Sequence, residues 1–475
     1  MRLIAPLALG MFFLVQLAAA QAIYEDERYV PETDPLVLNK LDKWQDIKFG
    51  LLMHWGPYSQ WGVVESWSIC PEEYGWCERK KGSNPQNYNA YKQEYEGLQT
   101  TFNPVEFNPE KWAKAAKNAG MKYVVFTTKH HDGFSMFDTE HTDYKITDPK
   151  TPFSSNPKAN ITKEIFDAFR SEGLWAGAYF SKPDWHVDSY WDPYYPPRDR
   201  NVNYSPEENP EKWQEFTDFT HNQILELLTD YGKVDILWLD GGWVAKTPKS
   251  EITSWYDAQL KDNESGYLKN RIVNQDIKMD ELVDKAREKQ PGLIVVDRAV
   301  HGKNQNYLTP ENRVPEKPLP YPWESCIIAG GGWSYSPNAK YMSGREAVHT
   351  LVDIVAKGGN LLLNIAPSPK GEWDEGAYRL LDGRIGEFIG STVDVPGLAG
   401  RDTIQSVLDE AAPKAICVDP APGNKHCVGD DALTLPEDTL ATAGQALIRT
   451  TQHEFPVLTQ HHLGSKFTIR KETKH

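Results

Sequence analysis

Short apolar runs that alternate with helical segments constrain the fold of this chain most. Five such runs follow one another along the sequence: 49–54 (FGLLMH), 123–128 (YVVFTT), 175–180 (WAGAYF), 236–240 (ILWLD) and 293–297 (LIVVD). Uninterrupted apolar runs of this length are typical of strands buried on both faces, as in parallel sheets. Helical segments between the strands supply the crossovers that parallel pairing needs. The sequence therefore predicts a parallel β/α structure.

Two features indicate which type of β/α structure the chain forms: the length over which strands and helices alternate, and the lack of a dinucleotide-binding motif. The pattern fills residues 23–390, and no GxGxxG turn follows any predicted strand. We therefore expect a (β/α)8-like TIM barrel rather than an open doubly wound sheet. Residues 108–110 and 209–211 both read Asn-Pro-Glu. This pattern predicts a capping asparagine and a first-turn proline at the start of two helices.

The two ends of the chain differ from this pattern. Residues 1–22 contain one arginine, an apolar run and small-x-small triplets, which together predict a secretory signal peptide and an extracellular location. Residues 391–475 contain short apolar runs split by proline, glycine and aspartate, which predict a small, β-rich C-terminal appendage. Export would make the sequons at Asn160, Asn203 and Asn263 available, so we expect a glycoprotein.

The net charge limits which partners the chain can bind, and the number of cysteines limits which disulfide bonds it can form. The chain has 51 basic and 67 acidic residues and a formal net charge of -16, which disfavours binding to nucleic acid or to anionic membranes. Its 16 tryptophans and 22 tyrosines suit both a large core and a sugar-binding cleft. Five cysteines leave at least one thiol unpaired. Proximity in sequence favours two pairs, Cys70 with Cys77 and Cys417 with Cys427.

Polar residues follow the predicted strands, where a barrel enzyme keeps its functional groups. Long segments at 60–105 and 299–337 extend the same face. Several histidines there raise the possibility of a zinc site. His130 and His131 are adjacent, and we expect neighbouring residues of a strand to point to opposite faces, which is unsuitable for a shared metal. No metal is predicted.

Asp240 carries the strongest signal in the sequence. It ends a wholly apolar strand and is followed by Gly241 and Gly242, which let a ligand approach the backbone closely. The alternative is an aspartate that only caps the following loop. Tryptophan, tyrosine, histidine and arginine at neighbouring strand ends favour an uncharged ligand rich in hydroxyl groups. A retaining glycosidase would need Asp240 and a second carboxyl group about 5 to 5.5 Å away.

Six sequence blocks resemble glycoside hydrolase family 29, the α-L-fucosidases. In chain order they are 48–59 (KFGLLMHWGPYS), 123–133 (YVVFTTKHHDG), 236–243 (ILWLDGGW), 321–326 (YPWESC), 332–335 (GWSY) and 358–369 (GGNLLLNIAPSP). The resemblance implies a (β/α) barrel and hydrolysis of terminal α-L-fucose with retention of configuration and without a cofactor. It also implies a fucosylated oligosaccharide or glycan as the substrate. The region after residue 391 departs from the family pattern.

The resemblance also implies roles for individual residues. Asp240 matches the nucleophile, and Trp333 matches an aromatic side chain that faces the methyl group of fucose. The remaining matches are to sugar-binding positions: His54, Glu65, Trp67, His130, His131, Tyr179 and Arg298.

The acid/base residue is less closely fixed by the resemblance, because the family places it in a variable loop. Glu311 lies where similar sequences carry it. Glu324 is the alternative, although its place beside an apolar strand favours a structural role, and Glu316 is expected to be solvated. A different class of function is a secreted, lectin-like protein that binds fucose without catalysis. The presence of both Asp240 and Glu311 disfavours that alternative.

Overall fold

The computed structural model describes residues 29–261 and 271–382. The predicted signal peptide at 1–22 and the predicted appendage at 391–475 lie outside the described residues, as do Asn263, Cys417 and Cys427. Among the described residues, no helix combines the length and the apolar character that crossing a bilayer requires.

Seven parallel strands form one curled sheet at the centre of the molecule. In chain order, β1 to β7 are Phe49–Met53, Tyr123–Lys129, Trp175–Ser181, Ile236–Asp240, Ile294–Asp297, Glu324–Ile328 and Asn360–Asn364. Their order in the sheet is β5-β4-β3-β2-β1-β7-β6, and each neighbouring pair is parallel. The predicted β/α fold is therefore confirmed. The five predicted runs are β1 to β5.

Nine α-helices lie among the described residues, and several of them pack against the outside of this sheet. In chain order, α1 to α9 are Pro35–Asp46, Tyr88–Glu96, Pro109–Asn118, Ile161–Ser171, Pro210–Asp230, Lys249–Lys261, Met279–Lys289, Gly344–Ala356 and Glu375–Leu381. The predicted cap is present at α3, where the Asn108 side chain accepts a 3.0 Å hydrogen bond from the backbone N–H of Lys111. At α5, Asn209 is the N-cap residue and Pro210 begins the helix as predicted, but the Asn209 side chain makes no capping hydrogen bond. Its amide instead donates to the carbonyl oxygen of Ser205.

An extended segment, residues 305–312, joins the two edges of the sheet. Gln305 forms an antiparallel bridge to Val296 of β5, while Leu308 and Glu311 form parallel bridges to Trp323 and Cys326 at β6. The segment therefore occupies the place that an eighth strand takes in a (β/α)8 barrel. It also carries Glu311, so the closure of the sheet fixes where this glutamate lies.

Alternate residues of the strands point inward and fill the barrel. This inner core contains Leu52, Val125, Tyr179, Trp238, Val296, Tyr307, Cys326 and Leu362. Leu41 and Trp44 of α1 pack against the same cluster, and the ring of Trp44 stacks on Tyr307 with centroids 4.0 Å apart. The interior is thus packed, and any ligand must bind at an end of the barrel.

Glu324 begins β6 and lies fully buried in this interior. Its carboxyl group accepts hydrogen bonds from the Tyr123 hydroxyl at 2.5 Å and from Trp238 Nε1 at 3.3 Å. Burial raises the pKa of Glu324 to about 7, against the opposing hydrogen bonds of Tyr123 and Trp238. These contacts place Glu324 within the packed core of the barrel.

Replacing Glu324 by glutamine should make the stability of the protein less sensitive to pH. The folded state binds a proton more tightly than the unfolded state does, so the contribution to stability is complete below about pH 4.5 and is lost as pH rises to about 7. Glu324 alone should contribute a fall of about 3 kcal/mol in the free energy of unfolding across that interval, so the parent should lose about that much more stability than Glu324→Gln. Urea unfolding at several pH values measures this difference. Equal pH dependence in Glu324→Gln and in the exposed control Glu316→Gln would contradict it.

Candidate active site

Polar side chains converge at the carboxyl edge of the sheet. His54 follows β1 and lies with its ring 5.0 Å from Tyr179 of β3 and 5.3 Å from Trp333. Eight of the side chains at this edge are His54, His130, His131, Tyr179, Asp240, Arg298, Glu311 and Trp333. All of them were predicted as site residues from the sequence. The barrel brings them together because parallel strands all end on one face.

The two adjacent histidines do not behave as the sequence analysis expected. Strand β2 ends at Lys129, with a register shift between Thr127 and Lys129, so His130 and His131 belong to the following loop. Their rings lie 4.3 Å apart and face one site. The expectation that they point to opposite faces was therefore wrong, because strand alternation does not apply beyond the strand.

A metal ion has to be weighed again in view of this geometry. Ligand atoms of His130, His131 and Asp240 lie within 4.8 Å of one another. The Arg298 guanidinium, however, donates to Asp240 Oδ1 at 3.1 Å and already places a positive charge beside this group. A cation would be repelled there, so the three residues suit a metal poorly. The absence of a metal stays a prediction.

One guanidinium links the two candidate carboxylates. Arg298 donates from Nη1 to Asp240 and from Nη2 to Glu311, and its Nε donates to the Thr309 hydroxyl at 3.2 Å. Glu311 also accepts a 3.2 Å hydrogen bond from Trp333 Nε1. The side chain of Asp240 is 18% exposed and that of Glu311 is 32% exposed, so Glu311 lies closer to solvent.

The surroundings of Asp240 keep it ionised. Burial alone would raise its pKa. The charge of Arg298, the neighbouring His131, the Tyr179 hydroxyl and the backbone N–H of Gly241 outweigh burial and hold the pKa of Asp240 well below its usual range. The Tyr179 hydroxyl donates to Oδ2 at 2.8 Å. Asp240 is therefore an anion that is available as a nucleophile at neutral pH.

Comparison with known sequences identifies the family of this chain. The sequence model of the family described as alpha-L-fucosidase matches residues 16–392. The chain belongs to the α-L-fucosidase family. It is therefore a glycoside hydrolase of the α-L-fucosidase type.

Individual relatives agree with this assignment. Tissue α-L-fucosidase from Homo sapiens is 28% identical, over 76% of this chain and 71% of that protein. An α-L-fucosidase from Dictyostelium discoideum is 23% identical, over 74% of this chain and 70% of that protein. The structure of α-L-fucosidase isoenzyme 1 from Paenibacillus thiaminolyticus superimposes with a TM-score of 0.57 and 30% identity, covering 77% of this chain and 80% of that one.

The three histidines at the site of this fucosidase, His54, His130 and His131, are neutral because they are buried. Burial lowers the pKa of His54 to about 4, although the Asn364 hydrogen bond and the charge of Asp240 oppose the shift. Burial also lowers the pKa of His131 to about 3, and it holds the pKa of His130 well below its usual range. Neutral imidazoles can both donate to and accept from sugar hydroxyl groups.

Asn364, which the sequence analysis missed, assigns the protonated nitrogen of His54. Its amide nitrogen donates to the carbonyl oxygens of Gly332 and Trp333 at 3.3 and 2.8 Å. Its Oδ1, 3.0 Å from His54 Nδ1, must therefore be an acceptor, so Nδ1 of His54 carries the proton. Nε2 is left as an acceptor. Asn364 ends β7, and the rule applied to β1 to β5 would have found it had β7 been assigned as a strand.

Replacing Asn364 by aspartate or leucine should therefore alter catalysis through His54. In Asn364→Asp, a charged acceptor raises the pKa of His54 above about 4 and moves the acidic limb of the kcat/KM profile to higher pH. In Asn364→Leu, the fixed tautomer is lost and kcat/KM falls by about 10- to 100-fold. Nitrogen-15 NMR of the imidazole and pH–rate profiles measure both effects. Asn360→Leu, at the buried start of the same strand, is the control and should not move the acidic limb.

The predicted residues Glu65 and Trp67 come from the long segment after β1. Both lie in the 3-10 helix Glu65–Ile69, where Glu65 has a φ of 32°. Oε1 of Glu65 is buried without a hydrogen-bond partner, and burial raises the pKa of this residue to about 8. The Trp67 ring lies 5.2 Å from that of His131. Glu65 is therefore a neutral carboxyl group with an unused polar atom at the site, as a sugar hydroxyl would require.

Proposed function

We propose that this protein is a secreted, exo-acting and retaining fucosidase that removes terminal α-L-fucose from oligosaccharides or glycans. The observation that carries the proposal is the bridge from Asp240 through Arg298 to Glu311. It places an ionised carboxylate and a more exposed carboxyl group beside one pocket, which is lined by neutral imidazoles and aromatic rings. Such walls bind hydroxyl groups and C–H faces without a competing charge.

In the first step Asp240 attacks the anomeric carbon of fucose. Tyr179 and Arg298 hold its carboxylate oxygens, so the nucleophile does not need to reorient. Protonated Glu311 donates its proton to the glycosidic oxygen as the leaving group departs. The product of this step is a fucosyl ester of Asp240 and a free aglycone alcohol.

In the second step Glu311, now a carboxylate, removes a proton from water. The water oxygen attacks the anomeric carbon, the bond to Asp240 breaks, and the carboxylate of Asp240 is restored. Arg298 contacts both carboxylates, so its charge can stabilise whichever of the two is anionic at each stage. Fucose leaves with the configuration it had in the substrate.

Retention is supported by the contact of both carboxylates with one guanidinium. This arrangement favours the separation of about 5 to 5.5 Å that retaining enzymes use over the 6.5 to 9.5 Å, roughly, of inverting enzymes. NMR of the anomeric proton of fucose during the first turnovers tests it. Initial release of the α anomer supports retention, and initial release of the β anomer contradicts it.

An exo mode of action is supported by the depth of the site. His131 and Tyr179 are buried and the packed barrel interior closes the pocket below them, whereas Glu311 is the more exposed carboxylate. A sugar at the end of a chain can enter such a pocket, but an internal sugar would need an exit on the closed side. Digestion of one glycan with fucose at a terminal position and of another with fucose capped by a further sugar tests this. Release from the capped glycan would contradict it.

The activity itself is tested with p-nitrophenyl α-L-fucoside and the purified protein, from about pH 4 to about pH 7. Release of the aryl group supports the proposal. Calorimetric binding of fucose without any release, from either the aryl substrate or fucosylated glycans, would instead favour the lectin-like alternative. If the protein neither turns over the substrates nor binds fucose, the assignment of the pocket is overturned.

Export is proposed from the composition of residues 1–22. Expression of the full chain in a secreting host, followed by mass spectrometry of the mature N-terminus, tests it. Cleavage near residue 22 and recovery of the protein from the medium support the proposal. An intact N-terminus on protein that stays in the cells would contradict it.

A further inference from the structure

Two buried thiols lie together in the segment that covers one side of the fucose pocket. Cys70 and Cys77 are 0% and 2% exposed, and both are free cysteines. Their sulfur atoms lie within 4.8 Å of each other and of a carboxylate oxygen of Glu72. The Cys70 thiol, whose pKa is raised by burial, hydrogen-bonds to the Cys77 sulfur and lowers the pKa of Cys77. Cys77 is therefore the more readily ionised thiol of the pair.

Glu72, between the two cysteines in sequence, is tied to Arg200. Its carboxylate accepts from Arg200 Nε at 2.8 Å, from Nη2 at 2.6 Å and from the backbone N–H at 3.0 Å. These bonds occupy the carboxylate and place a guanidinium beside the thiols. A metal held by the two cysteines and Glu72 is therefore disfavoured.

Arg200 in turn holds what we call the tryptophan wall, which consists of Trp67 and Trp243. Its guanidinium lies 4.7 Å from the ring of Trp67 and 5.1 Å from that of Trp243. The ring of each tryptophan lies within 5.2 Å of the His131 ring. His131 Nε2 lies 3.9 Å from Asp240 Oδ2. An unbroken series of contacts therefore runs from residues 70–77 to the nucleophile.

We propose that Cys70 and Cys77 form a redox-sensitive disulfide that fastens residues 70–77 and thereby sets the position of the tryptophan wall. This inference rests on the proposed function, since the wall is taken to contact the fucose ring. The crosslink closes a short loop around Glu72, so it limits the movement of Glu72 and of its partner Arg200. Loss of the crosslink loosens a binding surface and leaves both catalytic carboxylates in place.

Glutathione disulfide can act as the oxidant. The Cys77 thiolate attacks one sulfur of glutathione disulfide, releases one glutathione thiolate and forms a mixed disulfide. Cys70 then gives up its proton and attacks the Cys77 sulfur, which releases the second glutathione. Two protein thiols are oxidised and one glutathione disulfide is reduced to two thiols. Trp76, next to Cys77, is 47% exposed, so the turn that carries Cys77 lies at the protein surface.

Peptide mass spectrometry of the purified full protein tests the bond directly. Trypsin releases both cysteines in one peptide, residues 49–79, because no lysine or arginine lies between Phe49 and Glu78. After treatment with glutathione disulfide and alkylation, this peptide should be two hydrogen masses lighter than the dithiol form and should carry no alkyl group. Two alkyl groups on the peptide after that treatment would overturn the proposal.

Kinetics test the coupling to the pocket. The dithiothreitol-reduced protein should show a KM for p-nitrophenyl α-L-fucoside about three- to tenfold above that of the oxidised protein, with kcat changed by less than about twofold. The double variant Cys70→Ser/Cys77→Ser should resemble the reduced protein and no longer respond to either reagent. Equal KM values, or a response that persists in the double variant, would overturn the coupling. Failure of the proposed activity is distinguishable, because the peptide mass and calorimetric titration with fucose need no turnover.

Discussion

Replacing Asp240 by alanine should lower kcat for p-nitrophenyl α-L-fucoside by about 10⁴-fold or more. The substitution removes the proposed nucleophile, while His54, His131 and Trp333 still line the pocket. Fucose binding should therefore persist in calorimetry. The variant also frees a site for a small anion beside Arg298, so added azide should restore part of the turnover and give the β-fucosyl azide.

The control for this experiment is Asp230→Ala, at the exposed end of α5, which should retain the parent activity. Asp240→Ala should unfold at a lower denaturant concentration than Asp230→Ala, because it removes a hydrogen-bonded partner of the buried Arg298. Parent-like turnover in Asp240→Ala would contradict its role as nucleophile. Formation of the α-fucosyl azide would also contradict it, because azide entering in place of Asp240 must invert the anomeric carbon.

Much of this fold could be predicted because a strand that is buried on both faces has a continuous apolar sequence. The runs 49–54 and 236–240 are continuous apolar stretches, and each corresponds to a buried strand. Strand β6, Glu324–Ile328, was not predicted, because it begins with a glutamate and lies beside the proline-rich segment. The reason is physical, since a single buried carboxyl group that accepts hydrogen bonds from Tyr123 and Trp238 can replace an apolar side chain in the core.

In the candidate site, too, some features could be predicted from the sequence and others could not. Residues at strand ends, such as Asp240, could be placed on one face without knowledge of any contact. The hydrogen bond between His54 and Asn364 could not be predicted from the sequence, because the two residues are 310 positions apart and meet only when β1 pairs with β7. The shared orientation of His130 and His131 depends on where β2 ends, and that boundary is set by pairing with β3.

Replacing Glu311 by alanine should lower kcat by about 10²- to 10⁴-fold on a glycan substrate, which has a poor leaving group. The loss in the first step should be smaller on p-nitrophenyl α-L-fucoside, because nitrophenolate leaves without a proton. With that substrate the second step limits turnover, and azide should restore activity by attacking the fucosyl ester of Asp240. The product should be the α-fucosyl azide, since azide enters from the side that water uses.

Glu324→Ala is the control variant for Glu311→Ala. Glu311 is 32% exposed and contacts Arg298, whereas Glu324 is buried among Tyr123, Tyr307 and Trp238 inside the barrel. Glu324→Ala should lower the free energy of unfolding and should show no azide rescue, because a core carboxyl group cannot reach the glycosidic oxygen. Rescue in Glu324→Ala and its absence in Glu311→Ala would reverse the assignment. The azide product therefore distinguishes the roles of the three carboxyl groups. We expect the β-fucosyl azide from Asp240→Ala, the α-fucosyl azide from Glu311→Ala and no fucosyl azide from Glu324→Ala.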